Sequence, residues 1–305
     1  MRIAIFGAGG VGGYFGGRMI ASGSDVTFIA RGNHLSAIRQ YGLSIKSPLG
    51  DITLKNVQAV ENIADAGPVD LVIVAVKLWS TEEVAKTLIP IVEQGASVVS
   101  LQNGVYKDEA LRKYLPSEAI MGGVSYISAV IEEPGVILHK SPLQALTFGE
   151  YDRTRSERAV ALLDICQKAG IDATISDDIE RKIWEKFVFL VGLSASTASM
   201  RQPIGAIRAN PKSRGFLLDL MKEVVAVGRA RGVALPEDFA EDRLTYCDTL
   251  PAGMTASMHH DLMQGNRLEL PWLSGGVTTY GRELGLPTPC NRAVEDILAL
   301  YCDGQ

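Results

Sequence analysis

The chain has 305 residues, 47% of them hydrophobic and 21% charged, which is enough apolar surface for a sizeable core and suggests two domains. A formal net charge of −5 argues against a nucleic-acid or anionic-membrane surface as its main business. The cysteines Cys166, Cys247, Cys290 and Cys302 form no CxxC pair and no zinc spacing, which predicts reduced thiols in a cytoplasmic protein and no structural metal.

In chain order, the first element is a short apolar run, Ile3 to Phe6, so no room is left for a signal peptide. The run ends in Gly7-Ala8-Gly9-Gly10-Val11-Gly12, and a helix-compatible segment follows. Strand, glycine turn and helix with GxGxxG spacing predict a dinucleotide site. Gly7 permits the sharp turn, Gly9 lets a pyrophosphate approach the backbone, and Gly12 lets the helix pack close to the strand. The helix start then offers N–H groups to the phosphates. The second strand is expected at 26–30. Its end carries Ala30-Arg31-Gly32-Asn33-His34, with no Asp or Glu to accept from ribose hydroxyls. Arg31 presents a planar fork of donors that suits a 2′-phosphate, which favours NADPH over NADH.

Further strands are expected at 71–76 and 97–101, alternating with helices near 11–22, 33–41, 80–93 and 107–115, the rhythm of a doubly wound α/β sheet. Lys77 and Gln102-Asn103-Gly104 follow two of these strands at the carboxyl edge, where ligands bind in such sheets. Segments 43–60 and 124–149 carry turn signals between strand-like runs and read as hairpins at the far edge of the sheet. A helix over 153–169 and a strand over 171–175 close this half.

From about residue 178 only helices are expected, near 179–200, 211–231, 237–248, 254–264, 272–284 and 290–302. The predicted domains are therefore 1–177, a Rossmann-type dinucleotide-binding domain, and 178–305, an all-helical substrate domain, with Asp177-Asp178 able to cap the first helix. A substrate cleft between them is the expectation. Lys186 is a lone cation near the head of the apolar run Phe187 to Leu193. It is either a cleft-facing proton donor or a lysine that snorkels to water. Glu269 precedes Pro271 at a helix start, a place for a cap as well as for chemistry. His259-His260 point to different faces of a helix and lack metal-ligand spacing, and His34 and His139 stand alone with structural or solvent-facing places.

Taken together, the glycine turn, Arg31, Val76-Lys77, Asn103-Gly104, Trp184-x-Lys186, Ser257-Met258 and Glu269 resemble the ketopantoate reductase family over nearly the whole length. The resemblance implies NADPH-dependent reduction of a 2-keto acid, 2-dehydropantoate to pantoate, early in pantothenate biosynthesis. By matching position it implies that Lys186 and Glu269 are catalytic and that Gly7, Ala8, Gly9, Gly10, Val11, Gly12, Arg31, Lys77 and Asn103 hold the cofactor. Asn103, Lys186, Ser194, Ser257 and Glu269 would meet the substrate. The sequence departs from the family where asparagines usually stand: Leu190 and Ser194, four and eight residues after the lysine, and Met254, three before the serine. A less polar pocket discriminates less by hydrogen bonding, which opens a second reading, the same reaction on a more apolar 2-keto acid. A third reading is a non-catalytic NADP(H)-binding sensor. The expected partner is the small 2-keto acid, with no nucleic acid and no membrane. The sequence leaves the oligomeric state open, a homodimer included.

Overall fold

The computed structural model describes residues 1–304. By its internal contacts the chain divides into two units. The first comprises Met1–Asn103 and Lys107–Lys182; the second comprises Gly104–Tyr106 and the chain from Ile183.

The first unit is a mixed sheet flanked by helices. Four parallel strands form its centre: β1 (Ile3–Phe6), β2 (Val26–Ile29), β6 (Leu71–Val74) and β7 (Ser97–Ser100). The full order is β4-β3-β9-β8-β7-β6-β1-β2-β5, with β10 (Asp172–Ile175) also paired to β9. Here β3 is Leu43–Lys46, β4 Ile52–Leu54, β5 Gln58–Val60, β8 Ile120–Glu133 and β9 Val136–Gly149. The central strands are apolar throughout because both faces are covered. Ile3, Ile5, Leu71 and Ile73 face one core, and Ala4, Val72 and Val74 face the other. That is the period-two alternation of a strand read from two sides. The first core takes side chains from α1 (Gly10–Ala21), α2 (Gly32–Tyr41) and α5 (Glu157–Lys168); the second takes them from α3 (Thr81–Glu93) and α4 (Tyr106–Arg112).

Two hairpins form as their turn signals predict, β3 with β4 and the long β8 with β9, both antiparallel. The segment 43–60 departs from the expectation at its end. Strand β5 pairs parallel to β2, at the opposite edge of the sheet from β4. No tight two-residue turn follows β4, so the chain is free to cross back and take the open edge of β2. The Thr27 hydroxyl then donates to the Gln58 side-chain oxygen at 3.1 Å.

The second unit is helical. Its elements are α6 (Ile179–Met200), α7 (Ile204–Ala209), α8 (Pro211–Ala230), α9 (Phe239–Thr249), α10 (Ser257–Met263), α11 (Ser274–Leu284) and α12 (Pro289–Leu298). Among the described residues no strand follows Ile175, and no helix is long and apolar enough to cross a membrane. Asp178 caps α6, its carboxylate accepting the Arg181 N–H at 3.1 Å. Helix α7 lies between Pro203 and Asn210-Pro211, which the sequence reading takes only as breaks; six residues are too few to show a helical period. The excursion Gly104–Tyr106 is fastened within this unit. The Tyr106 ring stacks on Tyr280 at 4.2 Å, and its hydroxyl donates to the Gly276 carbonyl at 2.6 Å.

Candidate active site

The carboxyl edge of the parallel strands gathers the residues expected to hold a dinucleotide. In register, Phe6 faces Ile29 on one side and Val74 on the other, and Val74 faces Ser100. The segments beginning at Gly7, Ala30, Ala75 and Leu101 therefore leave the sheet along one edge. Strand order also reverses here: β2 and β5 lie on one side of β1, and β6, β7 and β8 on the other. Such a switch point opens a crevice at the carboxyl ends.

The glycines in the turn do different work. Gly7 has φ +104°, a conformation that favours glycine, and its N–H donates to the Ile29 carbonyl at 2.9 Å. A Cβ on Gly12 would lie 2.0 Å from the Gly7 carbonyl oxygen, so this glycine sets the close approach of α1 to the turn. A Cβ on Gly9 would meet nothing within 4 Å. Packing within the protein does not require glycine there; open space lies in front of it. Helix α1 has Gly9 as its N-cap, no side-chain cap and no acidic residue in its first turn. Its first N–H groups thus have neither intrahelical partners nor a carboxylate within their own turn. An open cradle at an uncapped helix start fits a dinucleotide pyrophosphate.

Arg31 is exposed at the end of β2 and is the N-cap of α2. Lys77 is exposed beyond β6, its ammonium 5.7 Å from the centre of the Trp79 ring. Asn103 is half-buried, three residues past β7. A buried polar network lies beneath these two loops. The Thr81 hydroxyl donates to the Leu78 carbonyl at 2.8 Å and accepts from the Gln102 amide at 2.8 Å. The Ser100 hydroxyl donates to the Gln102 side-chain oxygen at 2.9 Å. Lys107 completes the network, donating to the Ser100 carbonyl at 3.0 Å and to Asp108 at 2.8 Å. Tyr151 donates to the same Asp108 oxygen at 2.6 Å. Burial lowers the Lys107 pKa from the ordinary lysine value, against the opposing pull of Asp108. The sequence hides this pair, because Lys107-Asp108 in a short helix reads as two solvated charges.

In the helical unit, Lys186 is half-buried on α6, where its chain neighbours Trp184, Phe187 and Val188 are buried. Leu190 stands half-buried one turn further on. Ser194, another turn on, is fully buried, and its hydroxyl has no hydrogen-bond partner among the described residues. Ser257 is the exposed first residue of α10. The turn it begins lies against α6, where His259 Nδ1 donates to the Thr197 carbonyl at 2.8 Å. Met254 is half-buried, and its carbonyl accepts from Ile204 N–H at 2.9 Å. Glu269 is 6% exposed and precedes a single 3-10 turn, Leu270–Trp272, which leads into α11. Its side chain does not cap that turn; its carbonyl does, accepting from Trp272 and Leu273 at 3.1 Å each. Helices α6 and α11 meet through Trp184 and Tyr280, whose ring centres are 6.2 Å apart. Glu269 lies ahead of the 3-10 turn that leads into α11, and Lys186 lies two residues after Trp184 on α6.

Other candidate groups serve the fold. His260 Nε2 lies 3.1 Å from the Thr255 hydroxyl, so the two adjacent histidines face different partners. His139 is buried between the Ser47 hydroxyl at 2.9 Å and the Leu143 carbonyl at 3.0 Å. Burial pushes the Cys166 thiol up to about 12 and the Cys247 thiol up to about 11, so neither is a thiolate nucleophile at neutral pH.

Two family models match the chain: ketopantoate reductase PanE/ApbA over residues 3–153, and the ketopantoate reductase PanE/ApbA C terminal over 178–301. The uncharacterized oxidoreductase YkpB of Bacillus subtilis is 29% identical over 301 residues, covering 99% of both chains. The crystal structure of 2-dehydropantoate 2-reductase from Geobacter metallireducens GS-15 superposes with a TM-score of 0.91 at 31% identity, covering 98% of this chain and 99% of that one. The ternary structure of D-mandelate dehydrogenase with NADH and anilino(oxo)acetate shares the fold, with a TM-score of 0.88 at 20% identity, covering 99% and 98%. On these matches the chain belongs to the ketopantoate reductase family, nicotinamide-dependent oxidoreductases of 2-keto acids.

Proposed function

We propose that this protein reduces a 2-keto acid to its 2-hydroxy acid with NADPH, and that the substrate is 2-dehydropantoate, in pantothenate biosynthesis. The observation that carries the chemistry is the half-buried Lys186 at the head of the apolar run Phe187 to Leu193 of α6, together with the buried Glu269 ahead of α11, the helix whose Tyr280 meets Trp184 of α6. The choice of NADPH rests on Arg31, exposed at the end of β2 with no acidic residue in its place.

Gly9 and the first N–H groups of α1 would hold the pyrophosphate, Arg31 the 2′-phosphate, and Lys77 and Asn103 the nicotinamide end. The reduced nicotinamide supplies the hydride when bound. Lys186 donates its proton to the carbonyl oxygen, so carbonyl, hydride and proton together give the hydroxyl. Glu269 orients the lysine or the substrate hydroxyl, Asn103 helps position the substrate, and Ser194 and Ser257 offer further hydroxyls to it.

Leu190 favours a second reading. A half-buried leucine one turn from the proton donor offers no hydrogen bond to a substrate hydroxyl, and Met254 offers none either. The D-mandelate dehydrogenase of like fold, whose structure holds anilino(oxo)acetate, is a precedent for a bulkier apolar acid. NADPH oxidation with ketopantoate beside branched and aromatic 2-keto acids separates the readings. The highest kcat/KM on ketopantoate supports the first, and on an apolar acid the second. NADPH binding without oxidation by any of them is the outcome of a sensor and contradicts both.

A further inference from the structure

His34, isolated in the sequence, joins three segments of the dinucleotide end of the first unit. It lies in the first turn of α2, three residues after Arg31. Its Nε2 is 2.8 Å from the carbonyl oxygen of Ala8, inside the glycine turn. Its Nδ1 accepts the N–H of Gly135 at 3.1 Å, in the turn between β8 and β9. A carbonyl only accepts and a backbone N–H only donates. The proton is therefore on Nε2, and the neutral Nε2–H tautomer is the one form that makes both bonds.

The consequence follows from the planarity of the peptide group. The Ala8 carbonyl and the Gly9 N–H belong to one trans peptide plane and point in opposite directions. Holding the carbonyl therefore fixes the direction of the Gly9 N–H. Nothing else restrains that plane through a side chain at Gly9, which has none, and a Cβ there would meet only open space. On the other flank, a Cβ on Gly10 would lie 2.1 Å from the Ala129 carbonyl oxygen of β8, so the turn and the hairpin are already in close contact. His34 ties the same hairpin to the same turn.

We propose that His34 is a positioning residue for the dinucleotide: through Nε2–H and the Ala8 carbonyl it aims the Gly9 N–H at the pyrophosphate. This rests on the reading that the glycine turn holds a dinucleotide. The residue would act through the Ala8 carbonyl rather than on the ligand directly. Its effect falls on the part of the ligand that NADPH and NADH share, whereas Arg31 acts only on the 2′-phosphate.

The test is equilibrium titration of NADPH and NADH, followed by cofactor fluorescence, on wild type, His34→Phe, His34→Gln and Arg31→Ala, with Tm measured for each. His34→Phe keeps the ring volume and loses both bonds; it is expected to weaken both cofactors by the same factor, about tenfold, one lost hydrogen bond's worth. His34→Gln keeps an amide that can donate to the Ala8 carbonyl and should stay within about threefold of wild type. It also serves if the phenylalanine variant does not fold: a glutamine variant weakened equally for both cofactors by more than His34→Phe would be, about tenfold or beyond, overturns the proposal. A folded His34→Phe with lowered Tm and unchanged affinities makes the residue merely structural and overturns it too. A wild-type protein that binds neither cofactor overturns the underlying reading of the glycine turn, a result distinct from both.

Discussion

At the carboxyl edge of β1 the groups that would meet a ligand are main-chain N–H groups, set by where glycines allow close approach and where they leave space. Around Lys186 they are side chains, carried by helices and by the turn that precedes α11. The two regions fail in different ways when altered. A backbone site is sensitive to an added methyl, and its residue identities follow from geometry. A side-chain site keeps its helix through many substitutions, and its chemistry rests on one or two polar groups among apolar neighbours. In the first region the glycine spacing therefore points to a ligand class, while in the second the same scaffold would be compatible with different 2-keto acids.

The glycines of the turn differ in what a methyl group would meet. Gly12→Ala would place a methyl 2.0 Å from the Gly7 carbonyl oxygen, a backbone atom that cannot yield by a side-chain movement. It should destabilise the protein by about 1–3 kcal/mol, the range for overpacked sites, seen as a fall in Tm. Gly9→Ala is the contrasting change: its methyl enters open space and its φ of −70° suits alanine. Tm should hold while NADPH affinity falls about tenfold, since the methyl stands where a phosphate would approach. Equal effects of the two changes on Tm would mean that the turn is not shaped for a ligand.

A smaller and more selective effect is expected at Arg31. Removing its charged fork from a 2′-phosphate should cost about 1–3 kcal/mol of NADPH binding and leave NADH almost untouched. Paired titrations of the two cofactors on Arg31→Ala check this, and equal losses would remove Arg31 from the phosphate site.

The sheet half was legible because its signals are local. Ile3 to Phe6 before Gly7, and the continuous run from Leu71, state strand, turn and burial within a few residues. The partner of a strand is not local, and β5 shows the cost: Gln58–Val60 reads as part of a hairpin and pairs instead with β2, across the sheet from β4. The same limit applies to the supporting contacts of the site. Nothing in the order of residues tells that Lys107 reaches the Ser100 carbonyl, that Tyr106 stacks on Tyr280, or that His34 bridges Ala8 and Gly135. Lys186 and Glu269 were legible as unusual residues in their own segments. That α6, which carries Lys186, meets α11, the helix that follows Glu269, through Trp184 and Tyr280 is a tertiary fact, 184 and 280 being far apart in the chain.

On the proposed function, labour is divided: backbone in the first unit would hold the cofactor, and Lys186 in the second would supply the proton. The most direct measurement is Lys186→Ala, with kcat for 2-keto acid reduction and NADPH Kd determined on the same folded preparation. The account predicts that kcat falls by about 10²–10⁴, the range for loss of a general acid, while Kd stays within about twofold. A variant that keeps kcat within a few-fold of wild type would contradict it and return Lys186 to the role of a lysine that reaches water.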